Sequence, residues 1–355
     1  MLSAIDDTEL PSPALIVDVA VFEANVAAAD DLLRDSPKRL RPHVKTHRTP
    51  ALAMRQLTAA TAGLTCATVG EAETMVGAGA EDVLVANEVI GAGKLARLAA
   101  LAHRARVCVA VDSAEGVRAL GEAARRGGAE VLVLVDVDVG LGRCGVAGPD
   151  EAVELGRVVQ QTPGLRLEGI MGYEGRLRSD DAGRTRTISR AYATLAETKA
   201  AFDRSGLAAG TVSSAGTSTF REALADPAIT EIQAGTYALM ETNLDGLGLP
   251  FAPAYSVLAT VISRTADRAV LDVGRKSIAC DYGSPTPLVD GAELVAIHEE
   301  HTVLRFSRTA PPLGGRIELR PGHVRLTFNL HDFVWLARDD GSFERATVGA
   351  RGRSW

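Results

Sequence analysis

Eight short β-branched runs recur between about residues 40 and 240, and most are separated by segments of helical period. The runs are LRPHVKT, GLTCATV, DVLVANEV, RVCVAVD, EVLVLVDVD, LRLEGIMGY, GTVSSA and EIQAGT. In the intervening GKLARLAALAHRA (93–105) and ISRAYATLAETKAAF (188–202), apolar residues return every three or four positions. Several runs are apolar almost throughout, as strands need when helices cover one face and a packed interior the other. Eight such units in succession predict an α/β fold, a (β/α)8 TIM-type barrel over residues 20–245. An open doubly wound sheet is the competing topology.

From about residue 250 the texture changes. YSVLATVISRT, RAVLDVGRKSI, AELVAIHEEHTVLRF, HVRLTFNLHDFVWLA and ERATVGARGRSW are strand-like runs divided by Gly, Pro and Asp-Gly turns. They predict a second, all-β domain over residues 246–355. The strand-like ALIVDV (14–19) precedes the first barrel unit, so residues 1–19 are assigned to that domain as well.

Bulk properties narrow the function. A length of 355 residues suits a large barrel plus a smaller domain. A net charge of −7 offers no basic footprint for nucleic acid or an anionic membrane. The acidic start MLSAIDDTEL lacks the basic and apolar parts of a signal peptide, and no apolar run reaches membrane-spanning length. Cys66, Cys108, Cys144 and Cys280 are scattered, without a CxxC pair, as in a chain of free thiols. Cytoplasm is the expected location.

RPHVKTHRTP (41–50) sets Arg41, His43, Lys45 and His47 at every second position, which puts them on one face of a strand. The face is either a wet edge or a reactive amine among proton carriers. Barrel sites lie at the C-terminal ends of strands, with phosphate commonly held by the loops after strands 7 and 8. Strand 7 here runs into SSAGTST (213–219) and strand 8 into AGTY (234–237). Small residues and hydroxyls in both turns suit an anion held by backbone amides. A lysine opposite such a site is positioned as a Schiff-base lysine for a phosphorylated aldehyde, and its cationic neighbours would lower its pKa.

RPHVKTHRTP, EAETMVGAGAEDVLVANEV, DVDVGLGRCGV, GIMGYEG, VSSAGTSTF, EIQAGTYALM, DVGRKSIACDYG, HEEH and RGRSW together resemble the D-threonine aldolase/D-serine dehydratase family, fold-type III pyridoxal 5'-phosphate (PLP) enzymes related to the alanine racemase barrel. The resemblance spans nearly the whole chain. It implies Lys45 as the cofactor lysine and phosphate contacts from Ser214, Gly216, Thr217, Gly235 and Tyr237. It sets Arg143 and Tyr173 near the cofactor ring, where the plainer readings are a helix-start ion pair and a packed rim aromatic. It also implies a homodimer in which each barrel mouth faces the partner's β-domain.

The chain departs from that family in two places. Relatives bind a divalent metal through a histidine and, two residues on, a cysteine or aspartate, whereas PGHVRL supplies His323 and then Arg325. A guanidinium donates only and stays protonated, so it cannot ligate a cation. Many relatives also carry His after YEG, where this chain has Arg176. The expectation is that no metal binds. Arg325 or Arg176 then binds a substrate carboxylate, stabilises an alkoxide, or pairs with acids such as Glu299, Glu300 or Asp332. HEEH (298–301) reads as a strand rather than a zinc helix, and His331 is equally a hydrogen-bonded packing histidine or a functional one.

The expected activity is PLP-dependent cleavage of D-3-hydroxy-amino acids to glycine and an aldehyde, with His43, His47 or His323 as base. Dehydration expels hydroxide and gains more from a Lewis acid, so it ranks second. A racemase on this scaffold, a PLP-binding regulator, and a metal-free class I aldolase using Lys45 on the substrate itself are the other readings.

Overall fold

The computed structural model describes residues 10–355; residues 1–9, part of the stretch assigned above to the β-domain, lie outside the described residues. Strand β1 (Ala14–Asp18) and helix α1 (Val19–Leu33) precede the barrel. Its strands are β2 (Arg39–Leu40), β3 (Leu64–Cys66), β4 (Asp82–Glu88), β5 (Arg106–Val111), β6 (Val131–Asp136), β7 (Leu165–Met171), β8 (Thr211–Ser214) and β9 (Glu231–Ile232). Between them lie α2 (Pro50–Arg55), α3 (Val69–Gly77), α4 (Ala92–Leu101), α5 (Ala114–Gly127), α6 (Pro149–Gln161), α7 (Arg184–Arg204) and α8 (Phe220–Ala225). The order β2-β9-β8-β7-β6-β5-β4-β3 is parallel throughout. Bridges Leu40–Thr61 and His43–Thr65 join its two ends, which closes the barrel.

Alternation along β4–β7 divides the core. Val83, Val85, Val107, Val109, Val133 and Val135 belong to the large cluster shared with the helices. Leu84, Cys108, Ala110, Leu132, Leu134 and Met171 form a separate cluster in the interior.

The first barrel strand is shorter than its sequence suggests. The Arg41 and His43 N–H groups still pair with the Ile232 (2.8 Å) and Ala234 (3.0 Å) carbonyls, and the chain then turns tightly at Val44–Thr46. The four alternating residues therefore do not share one strand face. Arg41 is buried between Glu231 (2.8 Å) and Asp82 (2.6 Å), the residues that begin β9 and β4, while Lys45 is carried to the mouth.

The remaining strands are β10 (Tyr255–Arg264), β11 (Arg268–Leu271), β12 (Thr286–Pro287), β13 (Ala292–Ile297), β14 (Thr302–Phe306), β15 (Arg316–Arg320), β16 (Phe333–Ala337) and β17 (Phe343–Thr347). They form a second sheet in which β1 pairs antiparallel with β10 and parallel with β16. Two readings change here. HVRLTFNL is helix α9 (Val324–Leu330), because Val324, Thr327 and Phe328 bury one face at helical spacing. HEEH is the turn between β13 and β14, closed by the His298 N–H donating to the His301 carbonyl at 2.8 Å. Arg48, at φ 52°, joins the domains: its guanidinium donates to the Arg325 carbonyl (2.8 Å), and its own carbonyl accepts from Ala350 N–H (3.0 Å).

Candidate active site

A cavity of about 270 Å³ opens at the C-terminal mouth of the barrel, beneath α9. Lys45, Arg143, Arg176 and Arg325 line it, and among the described residues no Asp or Glu does. Burial, then the charges of Arg325 and Arg143, lower the Lys45 pKa to about 8. Its Nζ stands 5.9 Å from the centre of the Tyr173 ring, and the Arg143 guanidinium carbon lies 5.7 Å from the same ring. His43, two residues before the lysine, is buried with an unpartnered Nδ1. Burial and the Lys45 charge push its pKa well below the ordinary value, so it is a neutral imidazole.

The two glycine turns meet on the barrel side of the cavity, where Ser214, Gly216, Thr217 and Gly235 line it and Gly235 abuts the Lys45 turn. Thr217 Oγ1 accepts from the Tyr237 N–H at 2.9 Å, locking one turn to the other. Gly235 is forced by close approach: a Cβ there would lie 2.5 Å from the His43 carbonyl oxygen. Ala215 takes φ 71°, a left-handed conformation unusual outside glycine. The Gly216 N–H donates to Thr219 Oγ1 (3.2 Å), whose hydroxyl bonds the buried Glu174. Ser214 Oγ donates to the Gly172 carbonyl at 2.7 Å. The orphaned His43 nitrogen, the cationic lining and a lysine of lowered pKa are chemistry that fits PLP.

Three of the expected site residues stand behind this lining rather than in it. His47 is buried; Nδ1 accepts from Thr49 N–H (3.1 Å), so Nε2–H donates to Gln56 Oε1 (2.8 Å). Gln56 in turn donates to the Tyr237 hydroxyl at 3.0 Å, and burial pushes the His47 pKa down to about 4. His47 and the Tyr237 side chain thus brace the wall from outside, and Tyr237 reaches the turn through its main chain. His323, just before α9, is the third. Its Nε2 accepts from Arg325 Nε (3.2 Å), which leaves Nδ1–H to donate to Asp281 (2.7 Å).

Arg325 further donates to Thr236 Oγ1 (3.0 Å) and lies 3.7 Å from the buried Glu241, which also pairs with Arg176 at 3.2 Å. The arginines therefore pair with Glu241, whereas Glu300 holds Lys276 and Asp332 holds Arg351. Tyr282 stacks on His323 at 4.0 Å and carries the Arg176 guanidinium 4.5 Å from its ring centre. A divalent metal does not fit this corner: both histidine nitrogens are engaged and the next side chain brings a positive charge. Glu241, Asp281 and Tyr282 escaped the sequence reading. Asp281 and Tyr282 stood inside DVGRKSIACDYG, but nothing in that string shows what they touch.

Known proteins share this fold. The family described as alanine racemase, N-terminal domain, matches residues 17–242, and the putative serine dehydratase domain matches 254–337. The chain is 38% identical to a D-threonine aldolase from Arthrobacter sp, over 97% of its own length and 93% of that protein. It is 29% identical to a D-threo-3-hydroxyaspartate dehydratase from Delftia sp. (strain HT23), over 90% of this chain and 92% of the other. The crystal structure of D-threonine aldolase from Filomicrobium marinum superposes with a TM-score of 0.92 at 38% identity, covering 98% of this chain and 97% of that one. The chain belongs to the D-threonine aldolase/D-serine dehydratase family, built on the alanine racemase-type barrel of fold-type III PLP enzymes.

Proposed function

We propose that the protein is a PLP-dependent carbon–carbon lyase that cleaves D-3-hydroxy-amino acids to glycine and an aldehyde. The observation that carries the reading is a lysine of lowered pKa in a cation-lined mouth, beside two interlocked glycine turns, in a relative of D-threonine aldolase. PLP, when bound, supplies an electron sink for the charge left at Cα.

Lys45 Nζ is the amine for the coenzyme aldehyde. Thr217 and the Gly216 and Gly235 turns hold its phosphate, and Arg143 and Tyr173 border its ring. His43 Nδ1, unpartnered on an imidazole kept neutral by burial and by the Lys45 charge, is the acceptor for the β-hydroxyl proton. As that proton leaves, the Cα–Cβ pair stays with Cα and the carbinol carbon departs as the aldehyde. Arg325 and Arg176 share one carboxylate, Glu241, and so retain a net charge of plus one. That charge faces the developing alkoxide.

No helix among the described residues is long and apolar enough to cross a membrane, and we place the enzyme in the cytoplasm. Exposed Leu141, Tyr282, Leu326 and Leu330 around the mouth favour a homodimer, checked by sedimentation.

The deciding assay offers D-threonine, D-3-hydroxyaspartate and D-serine to the PLP-loaded enzyme and identifies the products. Glycine plus an aldehyde is expected. A 2-oxo acid plus ammonia would establish the dehydratase instead, and an inverted amino acid the racemase.

A further inference from the structure

The corner at His323 holds a guanidinium cation. The Arg325 guanidinium sits among His323 Nε2 (3.2 Å), Thr236 Oγ1 (3.0 Å) and Glu241 (3.7 Å), a set of oxygen and imidazole acceptors of the kind that surrounds a divalent ion. The set is held from outside by Asp281 on His323 Nδ1 and by the Val324 N–H on Glu241 at 3.1 Å. The guanidinium is tied to α9 by its own backbone, whose carbonyl accepts from Arg48. Such a charge needs no loading from solution and cannot be stripped by a chelator.

We propose that the Arg325 guanidinium is a tethered cation occupying the place of a divalent metal, so that this chain works without one and position 325 decides metal dependence. The inference deepens the lyase reading: the same charge that keeps metal out stabilises the alkoxide oxygen. It also separates two outcomes at Cβ. A guanidinium can hydrogen-bond an alkoxide that remains on the departing carbon, but it is a weaker aid than a Lewis acid to hydroxide departure.

The test is a Mn²⁺ titration of the PLP-loaded protein followed by electron paramagnetic resonance, in wild type, His323→Ala, Arg325→Asp and the double variant. Glu88, Asp112 and Cys144 offer ligand atoms within 4.8 Å of one another elsewhere on the rim, so every site must be assigned by its dependence on His323. Wild type should bind no Mn²⁺ that His323→Ala removes. Arg325→Asp should gain one Mn²⁺ per chain and lose it in the double variant; retained coenzyme absorbance shows that it folds, and Arg325→Cys serves if it does not. A His323-dependent Mn²⁺ in wild type, or no gain in a folded position-325 variant, overturns the proposal. Chelator treatment should change wild-type turnover less than twofold, and abolished turnover restored by Mn²⁺ would also overturn it. Should no D-3-hydroxy-amino acid be cleaved, the lyase reading fails while the Mn²⁺ comparison still decides this one.

Discussion

The two walls of the cavity are held in place by different means. On the barrel side, Lys45 and the glycine turns are fixed by main-chain contacts: His43 N–H to the Ala234 carbonyl (3.0 Å), Tyr237 N–H to Thr217, and the missing Cβ of Gly235. On the side facing the β-domain, Arg176 of the barrel and Tyr282, His323 and Arg325 beyond it are fixed by side chains gathered around Glu241 and Asp281. A wall made of backbone changes only if the fold moves. A wall made of side chains changes with one substitution, which is where this chain departs from the family pattern it otherwise follows.

The contrast breaks most readily at Gly235. Gly235→Ala drives a Cβ against a backbone oxygen, with an expected cost of about 3 kcal/mol in unfolding free energy and loss of bound coenzyme. Unchanged stability by denaturant titration would mean that the barrel wall is softer than its contacts imply. Next in size, Glu241→Gln removes the carboxylate between two guanidinium groups and should cost about 2 kcal/mol while the coenzyme absorbance stays. Loss of the absorbance in that variant would show that the walls are not independent.

The smallest effect sharpens the link between the walls. The neutral Lys45 amine is the form that attacks an aldehyde, so the rate of PLP capture by the coenzyme-free protein should rise with pH through about 8 and level off above it. Arg325 is the leading charge that lowers this pKa, so Arg325→Met should move the midpoint upward. A midpoint unmoved by that change would contradict the electrostatic coupling.

The barrel was legible because eight strand–helix units leave a periodic trace, and its glycine turns because phosphate-type loops use few residue types. The strand face proposed for residues 41–47 was not. Alternation alone cannot show that the chain turns at Val44–Thr46 and sends Arg41 and Lys45 to different depths. α9 was misread for a related reason: Val324, Thr327 and Phe328 fit a helix, but β-branched and aromatic residues in a run of strands favour the wrong period. Glu241, Asp281 and Tyr282 were illegible because their roles arise where three distant segments converge, a fact of tertiary packing rather than of local pattern.

The most direct measurement of the central claim is borohydride reduction of the PLP-loaded protein followed by peptide mass mapping. The account predicts a pyridoxyl phosphate adduct on the peptide carrying Lys45, with loss of the yellow absorbance. An adduct on another lysine, or a colourless protein with no adduct after PLP is supplied, would contradict it.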